Sequence, residues 1–391
     1  MKSFNRSTDL EKTLRGSGVS RREFLKYCGS IAVTLGLAET AVPQIAAALT
    51  QAAKLKPAIW LEAGSCSGCT ESMAQVGSPD IATVVLDILS LNYSETLMAG
   101  AGFSAEKARK DTIAAGDYIL IYEGSVMQGW EGNALRIAGV KGIDELRESA
   151  SKAQACIAVG SCASDGGWVA AAPNPGGATG VTAFFAKNNI KTPVINLPTC
   201  PVNPEWVVAM VVQVLMIGQL PVMDSEGRPT SIFGETIHDN CPRRGHFEAG
   251  EFVTEFGSAE EAAGFCLYQM GCKGPQTFTN CPLVRWNEKV SWCVESGAPC
   301  IGCGTAVPTA GGTGNWVDAG APFFSRLANV RLPGIGGVQP STVGAVVAGV
   351  AAAGLVVHGV VSASKGRVKG VPVEAEKKSD AKNKSSEGGD N

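Results

Sequence analysis

The chain has 391 residues, 45% of them hydrophobic, enough for two packed domains with cores of their own. Its 33 basic and 36 acidic residues leave a net charge of −3, so there is no basic footprint for nucleic acid. Thirteen cysteines call for a chemical explanation.

Near the N-terminus, SRREFLK places Arg21 and Arg22 before the apolar run YCGSIAVTLGLAETAVPQIAAAL, which ends in the small residues Ala46, Ala47 and Ala48. This is the pattern of a twin-arginine export signal with a cleavage site, so residues 1–48 are set apart from the fold as a leader. The next region, 57–222, alternates short apolar runs with helical stretches. PAIWLEAG, DYILIYEG, ACIAVGS and TPVINLPT read as strands; PDIATVVLDILS and PEWVVAMVVQVLMIG read as helices, the latter with Pro204 at its start. Such alternation predicts an α/β fold, a doubly wound parallel sheet with helices on both faces.

Cys66, Cys69, Cys162 and Cys200 each follow a predicted strand. Ligands of an open parallel sheet gather beyond the carboxyl ends of its strands, so these thiols converge on one point. One cysteine per iron suits a cubane cluster there, with Gly64, Gly68, Gly160, Gly166 and Gly167 allowing close backbone approach. Cys156 lies inside a strand and reads as a small buried hydrophobe.

From 223 to 330 the alternation is lost. Gly, Pro and Asn become frequent, and His238 and Cys241 are followed by Cys266, Cys272, Cys281, Cys293, Cys300 and Cys303. With few periodic segments, bound metal would have to organise this stretch. His246 has no partner at ligand spacing and reads as structural. Disulfides, zinc and iron–sulfur chemistry all remain open at this point. Export favours disulfides, whereas the local clustering and the histidine favour metal.

Between Arg331 and Lys365 there is no charged residue. The run 341–363 would reach about 34 Å as a helix and reads as a transmembrane span, with His358 near one end. Lys365, Arg367 and Lys369 follow at once, placing that end in the cytoplasm; 364–391 reads as a disordered charged tail.

Seven motifs in order, CSGCTES, GSCAS, PTCPVNP, IHDNCPRRGHFEAGEF, YQMGCKGP, CPLVRWN and PCIGC, resemble those of the small subunit of the membrane-bound, periplasm-facing [NiFe] and [NiFeSe] uptake hydrogenases. The resemblance implies a flavodoxin-like domain, an irregular iron–sulfur domain, and a C-terminal transmembrane helix. It implies no catalytic residue in this chain, because the nickel–iron centre sits in a partner large subunit. Carried over by position, Cys66, Cys69, Cys162 and Cys200 hold a proximal [4Fe-4S] cluster. His238, Cys241, Cys266 and Cys272 hold a distal [4Fe-4S] cluster. Cys281, Cys300 and Cys303 hold a medial [3Fe-4S] or [4Fe-4S] cluster, with Cys293 available as a fourth ligand where many members have proline. Gly68 and Gly167 stand where oxygen-tolerant relatives carry extra cysteines. The implied function is electron transfer from H2 oxidation to a membrane cytochrome b or other quinone-linked subunit, at the periplasmic side of the membrane. Two other readings are a cluster subunit of a quinone-reducing NADH dehydrogenase and a zinc-stabilised binding protein without catalysis.

Overall fold

The four apolar runs read as strands are strands, and a fifth joins them. The computed structural model describes residues 21–35, 37–51, 56–77, 89–171, 173–214, 220–304, 330–332, 336–338 and 340–365. Within the unit Met1–Ala328, β1 (Lys56–Glu62), β2 (Leu89–Ser94), β3 (Tyr118–Glu123), β4 (Ala153–Val159) and β5 (Val194–Leu197) form one sheet in the order β2-β1-β3-β4-β5. Every neighbouring pair is parallel. This is the flavodoxin-like order, which reverses direction between β1 and β3.

β2 departs from expectation. Leu89 and Ser90, read as the end of a helix, begin a strand instead. Leu89, Leu91 and Tyr93 alternate with Ser90, Asn92 and Ser94, a period of two that fits an edge strand. The rest of that predicted helix, 79–88, lies outside the described residues.

The sheet is buried on both faces, as continuous runs such as YILIYE require. One face sends Ile59, Leu61, Leu120, Tyr122, Cys156 and Ala158 against α4 (Phe103–Ala115), α5 (Gly142–Ala150) and α7 (Val181–Lys187). Cys156 is thus a fully buried core residue, as expected. The other face sends Trp60, Ile119, Ile121, Ile157 and Ile195 against α8 (Pro204–Val212). Asn203 caps α8 by accepting from the Glu205 amide, and Pro204 occupies its first turn. The predicted continuation of α8 over 215–218 lies outside the described residues.

This second layer runs on into the far half through Phe233, Ile237, Val253, Leu267, Val284 and Trp292. The stretch 220–304 holds only short helices and isolated bridges, as its composition predicts. Part of the expected leader also packs here. Arg21–Thr34 (α1) and Val42–Gln51 (α2) are helical and bury Cys28, Ile31, Ala32, Leu35 and Ile45.

The unit Asn329–Asn391 contains a short antiparallel pair, Val330–Leu332 with Gly336–Val338, and α9 (Pro340–Ser364). The transmembrane span expected over 341–363 is not found: among the described residues no helix is long and apolar enough to cross a membrane. The side chains of 341–345 and 363 lie outside the described residues, and the stretch between them is shorter than a bilayer needs. The tail beyond 365 lies outside the described residues as well.

Candidate functional site

The loop after β1 carries Cys66 and then Cys69, the latter in the first turn of α3 (Gly68–Met73). It lies at the crossover between β1 and β3. Cys162 sits in α6 (Gly160–Asp165), directly after β4, and Cys200 follows β5. Burial raises the Cys162 thiol to about 11, and the neighbouring Cys200 and Cys66 add to the rise. Burial likewise raises Cys69 well above its usual range, with Glu123, Cys162 and Cys200 contributing. The four predicted thiols are therefore neighbours about one crevice. Glycine makes room for them: a Cβ at Gly160 would lie 2.6 Å from the Cys69 Sγ, and one at Gly167 2.9 Å from the Cys162 Sγ.

Glu123, which ends β3, belongs to none of the sequence motifs. Its Oε1 accepts from the Ser65 hydroxyl at 2.7 Å and the Cys69 amide at 3.1 Å. Its Oε2 accepts from the Thr70 amide at 3.0 Å, the Thr70 hydroxyl at 2.6 Å and the Trp60 indole at 3.2 Å. A buried carboxylate thus fixes the backbone on which Cys69 is presented. The available signal in the sequence is an acidic residue closing a wholly apolar strand.

A cavity of about 330 Å³ lies beside this set, lined by Cys281, Cys293, Cys300 and Cys303, with Cys200 in its wall. The Thr279 hydroxyl donates to the Cys281 sulfur at 3.0 Å. Burial raises Cys281 to about 12, with Cys300 and Cys293 among the neighbours that add to it. Cys293 therefore lines the same cavity as the other three. Ser161, one residue before Cys162, donates to the Cys303 carbonyl at 2.7 Å and joins this cavity to the first set.

His238, Cys241, Cys266 and Cys272 line another pocket, together with Arg243, Arg244 and Tyr268. The His238 ring packs edge-on against Phe247 at 4.6 Å. The Cys300 amide donates to the Cys272 sulfur at 3.3 Å, which joins this pocket to the cavity. His246 takes no part; its Nδ1 lies 2.6 Å from Glu251 and its ring stacks on Phe265. His358 lies in α9, with Ser362 at 3.5 Å.

All the cysteines are free thiols, so the disulfide reading has no support. Among the described residues no three His, Cys, Asp or Glu side chains gather tightly enough for a single metal ion. The sets are instead groups of four donors about a common crevice or pocket, all thiols but for His238, with glycine at the approach to the first. That donor chemistry and that cradle fit clusters with one ligand per iron.

A parallel sheet with four thiols beyond its strand ends, followed by two further four-donor sets in an irregular stretch, is the arrangement of an iron–sulfur electron-transfer protein. Residues 233–310 match the family model for the C-terminal part of the NiFe/NiFeSe hydrogenase small subunit. Residues 66–214 match the model of the 20 Kd subunit of NADH ubiquinone oxidoreductase. The periplasmic [NiFe] hydrogenase small subunit of Solidesulfovibrio fructosivorans is 44% identical over 297 residues, covering 75% of this chain and 92% of the relative. The hydrogenase-1 small chain of Escherichia coli K12 is 39% identical over 361 residues, covering 92% of this chain and 93% of the relative. Among solved structures, a chain of the [NiFeSe] hydrogenase of Desulfomicrobium baculatum superposes with a TM-score of 0.63 at 33% identity, covering 70% of this chain and all of that one. The chain belongs to the family of [NiFe] hydrogenase small subunits. It is the electron-transferring subunit of an H2-oxidising enzyme and works with a large subunit.

Proposed function

We propose that the chain conducts electrons through three clusters in series, between a nickel–iron centre in the large subunit and a membrane acceptor. Cys66, Cys69, Cys162 and Cys200 hold the proximal [4Fe-4S] cluster. Cys281, Cys293, Cys300 and Cys303 hold a medial [4Fe-4S] cluster, or a [3Fe-4S] cluster where Cys293 stays unligated. His238, Cys241, Cys266 and Cys272 hold the distal [4Fe-4S] cluster. These groups supply reversible one-electron storage, which lets H2 ⇌ 2H⁺ + 2e⁻ be drained one electron at a time.

One observation carries the reading: the medial cavity shares its walls with both other sets. Cys200 lines it, and the backbone amide of Cys300, another lining residue, donates to the Cys272 sulfur. The chain's own part is positional. Glu123 holds the Cys69 loop, Ser161 ties the proximal helix to the Cys303 carbonyl, and Thr279 supports Cys281. The oxidised enzyme should contain about 12 irons with matching acid-labile sulfide when Cys293 is a ligand, and about 11 when it is not. Zinc without sulfide would overturn the relay.

The NADH dehydrogenase reading draws support from the match over 66–214, but the second and third donor sets fall in 233–310, which matches the hydrogenase model. We also propose export by the twin-arginine route and attachment at the periplasmic face of the membrane. Support for attachment comes from the helix Pro340–Ser364, whose described valines and Leu355 are exposed, and from the uncharged run 341–363 that ends at Lys365. The acceptor on this reading is a cytochrome b or other quinone-linked subunit.

A further inference from the structure

We propose that the folded chain is the receptor for its own export leader. The inference rests on the reading of residues 1–48 as that leader, and concerns what holds it before export. α1 carries Phe24, Cys28, Ile31 and Ala32 on one stripe, which Leu35 continues directly after the helix. Spacings of three and four residues put them on the same side of a helix. Cys28, Ile31, Ala32 and Leu35 are all buried, and Phe24 packs half-buried on the same core. The other side of α1 faces water, with Leu25, Lys26 and Val33 exposed.

The surface beneath the stripe is α8. Every residue from Trp206 to Val212 is buried, so this helix has no polar face to turn to solvent. A helix apolar all round needs cover on the side away from its sheet, and α1 lies against it. α2 returns beside α1 and adds Ile45 to the same core.

The contact is not made by the sheet domain alone. Lys289, from the cysteine-rich half, donates to the Ser30 hydroxyl of α1 at 3.1 Å. The docking surface is therefore composite, complete only when the region between Cys281 and Cys293 has folded against the sheet. Arg22 remains exposed at the head of the docked helix. Docking hides one side of the leader's apolar run, burying Cys28, Ile31, Ala32, Leu35 and Ile45, while Arg22 stays on view. A chain that has not folded its cysteine-rich half keeps α8 but lacks the Lys289 contact.

The test uses the full precursor with its leader uncleaved, purified from the cytoplasm as the complex with its large subunit, and follows amide hydrogen exchange over 24–46. Ile31→Asp places a charge in the buried stripe, and Val33→Asp places the same charge on the exposed side with a similar loss of apolarity. Neither lies in the mature protein, so neither disturbs its fold. Protection of the leader in the wild type, lost in Ile31→Asp and kept in Val33→Asp, is the expected result. An unprotected wild-type leader, or equal effects of the two substitutions, would overturn the proposal. The leader reading fails separately, if replacing Arg21 and Arg22 by lysine leaves the protein in the periplasm.

Discussion

Replacing Glu123 by glutamine changes one atom beneath the proximal site and should be felt throughout it. The carboxylate receives five donors, three of them N–H groups that cannot reverse their role. A glutamine amide has one oxygen to accept with and an NH2 that cannot accept. Placing the NH2 at Oε2 would oppose both the Trp60 indole and the Thr70 amide. Placing it at Oε1 opposes only the Cys69 amide, because the Ser65 hydroxyl can rotate to accept. The better orientation still leaves the buried Cys69 N–H unpaired. Hydrogen bonds to a charged group are worth about 1.5–3 kcal/mol and an orphaned buried donor costs about 1–3 kcal/mol; relief of the buried charge offsets part, for a net loss of about 2–4 kcal/mol. At about 2–4 °C per kcal/mol for a large domain, the thermal midpoint should fall by roughly 4–16 °C. Losing the charge also removes an electron-repelling anion beside the thiolates, so the proximal cluster should titrate at a more positive potential. Scanning calorimetry at one fixed rate, with a redox titration followed by EPR, reads both effects. Glu123→Ala, which strands the Trp60, Cys69 and Thr70 N–H donors, should lose proximal iron. A Gln variant with the wild-type midpoint and wild-type proximal potential would refute the argument.

Gly160→Ala should lose proximal iron, because Gly160 has a φ of +82° and an added Cβ would lie 2.6 Å from the Cys69 sulfur; an iron count equal to wild type would contradict it. Cys293→Pro should bring up a full [3Fe-4S] EPR signal in the oxidised enzyme, and the same signal already present in the wild type would show that Cys293 is no ligand. At α4 and α5, Glu106, Glu145 and Glu148 share the single cation of Arg109, and burial raises the Glu145 carboxyl to about 7. The folded state then holds a proton that the unfolded chain releases near pH 4.5, so this contribution is fullest below that pH and is lost as pH rises through 7, by about 3 kcal/mol. Glu145→Gln should flatten the pH dependence of the thermal midpoint over that window, and an unchanged slope would count against the assignment. Arg21→Lys with Arg22→Lys should keep both subunits in the cytoplasm, as fractionation and hydrogen-dependent dye reduction will show.

The strands are legible because a parallel sheet covered on both faces writes a continuous apolar run, and YILIYE and ACIAV need no partner to be recognised as such. β2 is not: LSLNYS is an edge strand, and its alternation merges with the apolar run before it. The cysteines announce metal chemistry by number and local clustering, and their positions after strand ends point to one crevice, since in this sheet chain direction alone sets which end a loop occupies. What lies between the sets is beyond reach of the sequence. Cys272 and Cys300 meet through an amide and a sulfur, and Ser161 reaches the Cys303 carbonyl, contacts between residues distant in the chain with no periodicity to announce them. Glu123 is equally hidden, because a buried anion is tolerable only where five donors converge, and three of those are backbone or indole N–H groups whose direction exists only after β1, β3 and α3 have packed. For α1 the stripe of Phe24, Cys28, Ile31 and Leu35 can be read from spacing alone. That it lies on α8 is decided by packing, for an apolar stripe specifies that it will be covered and not by what.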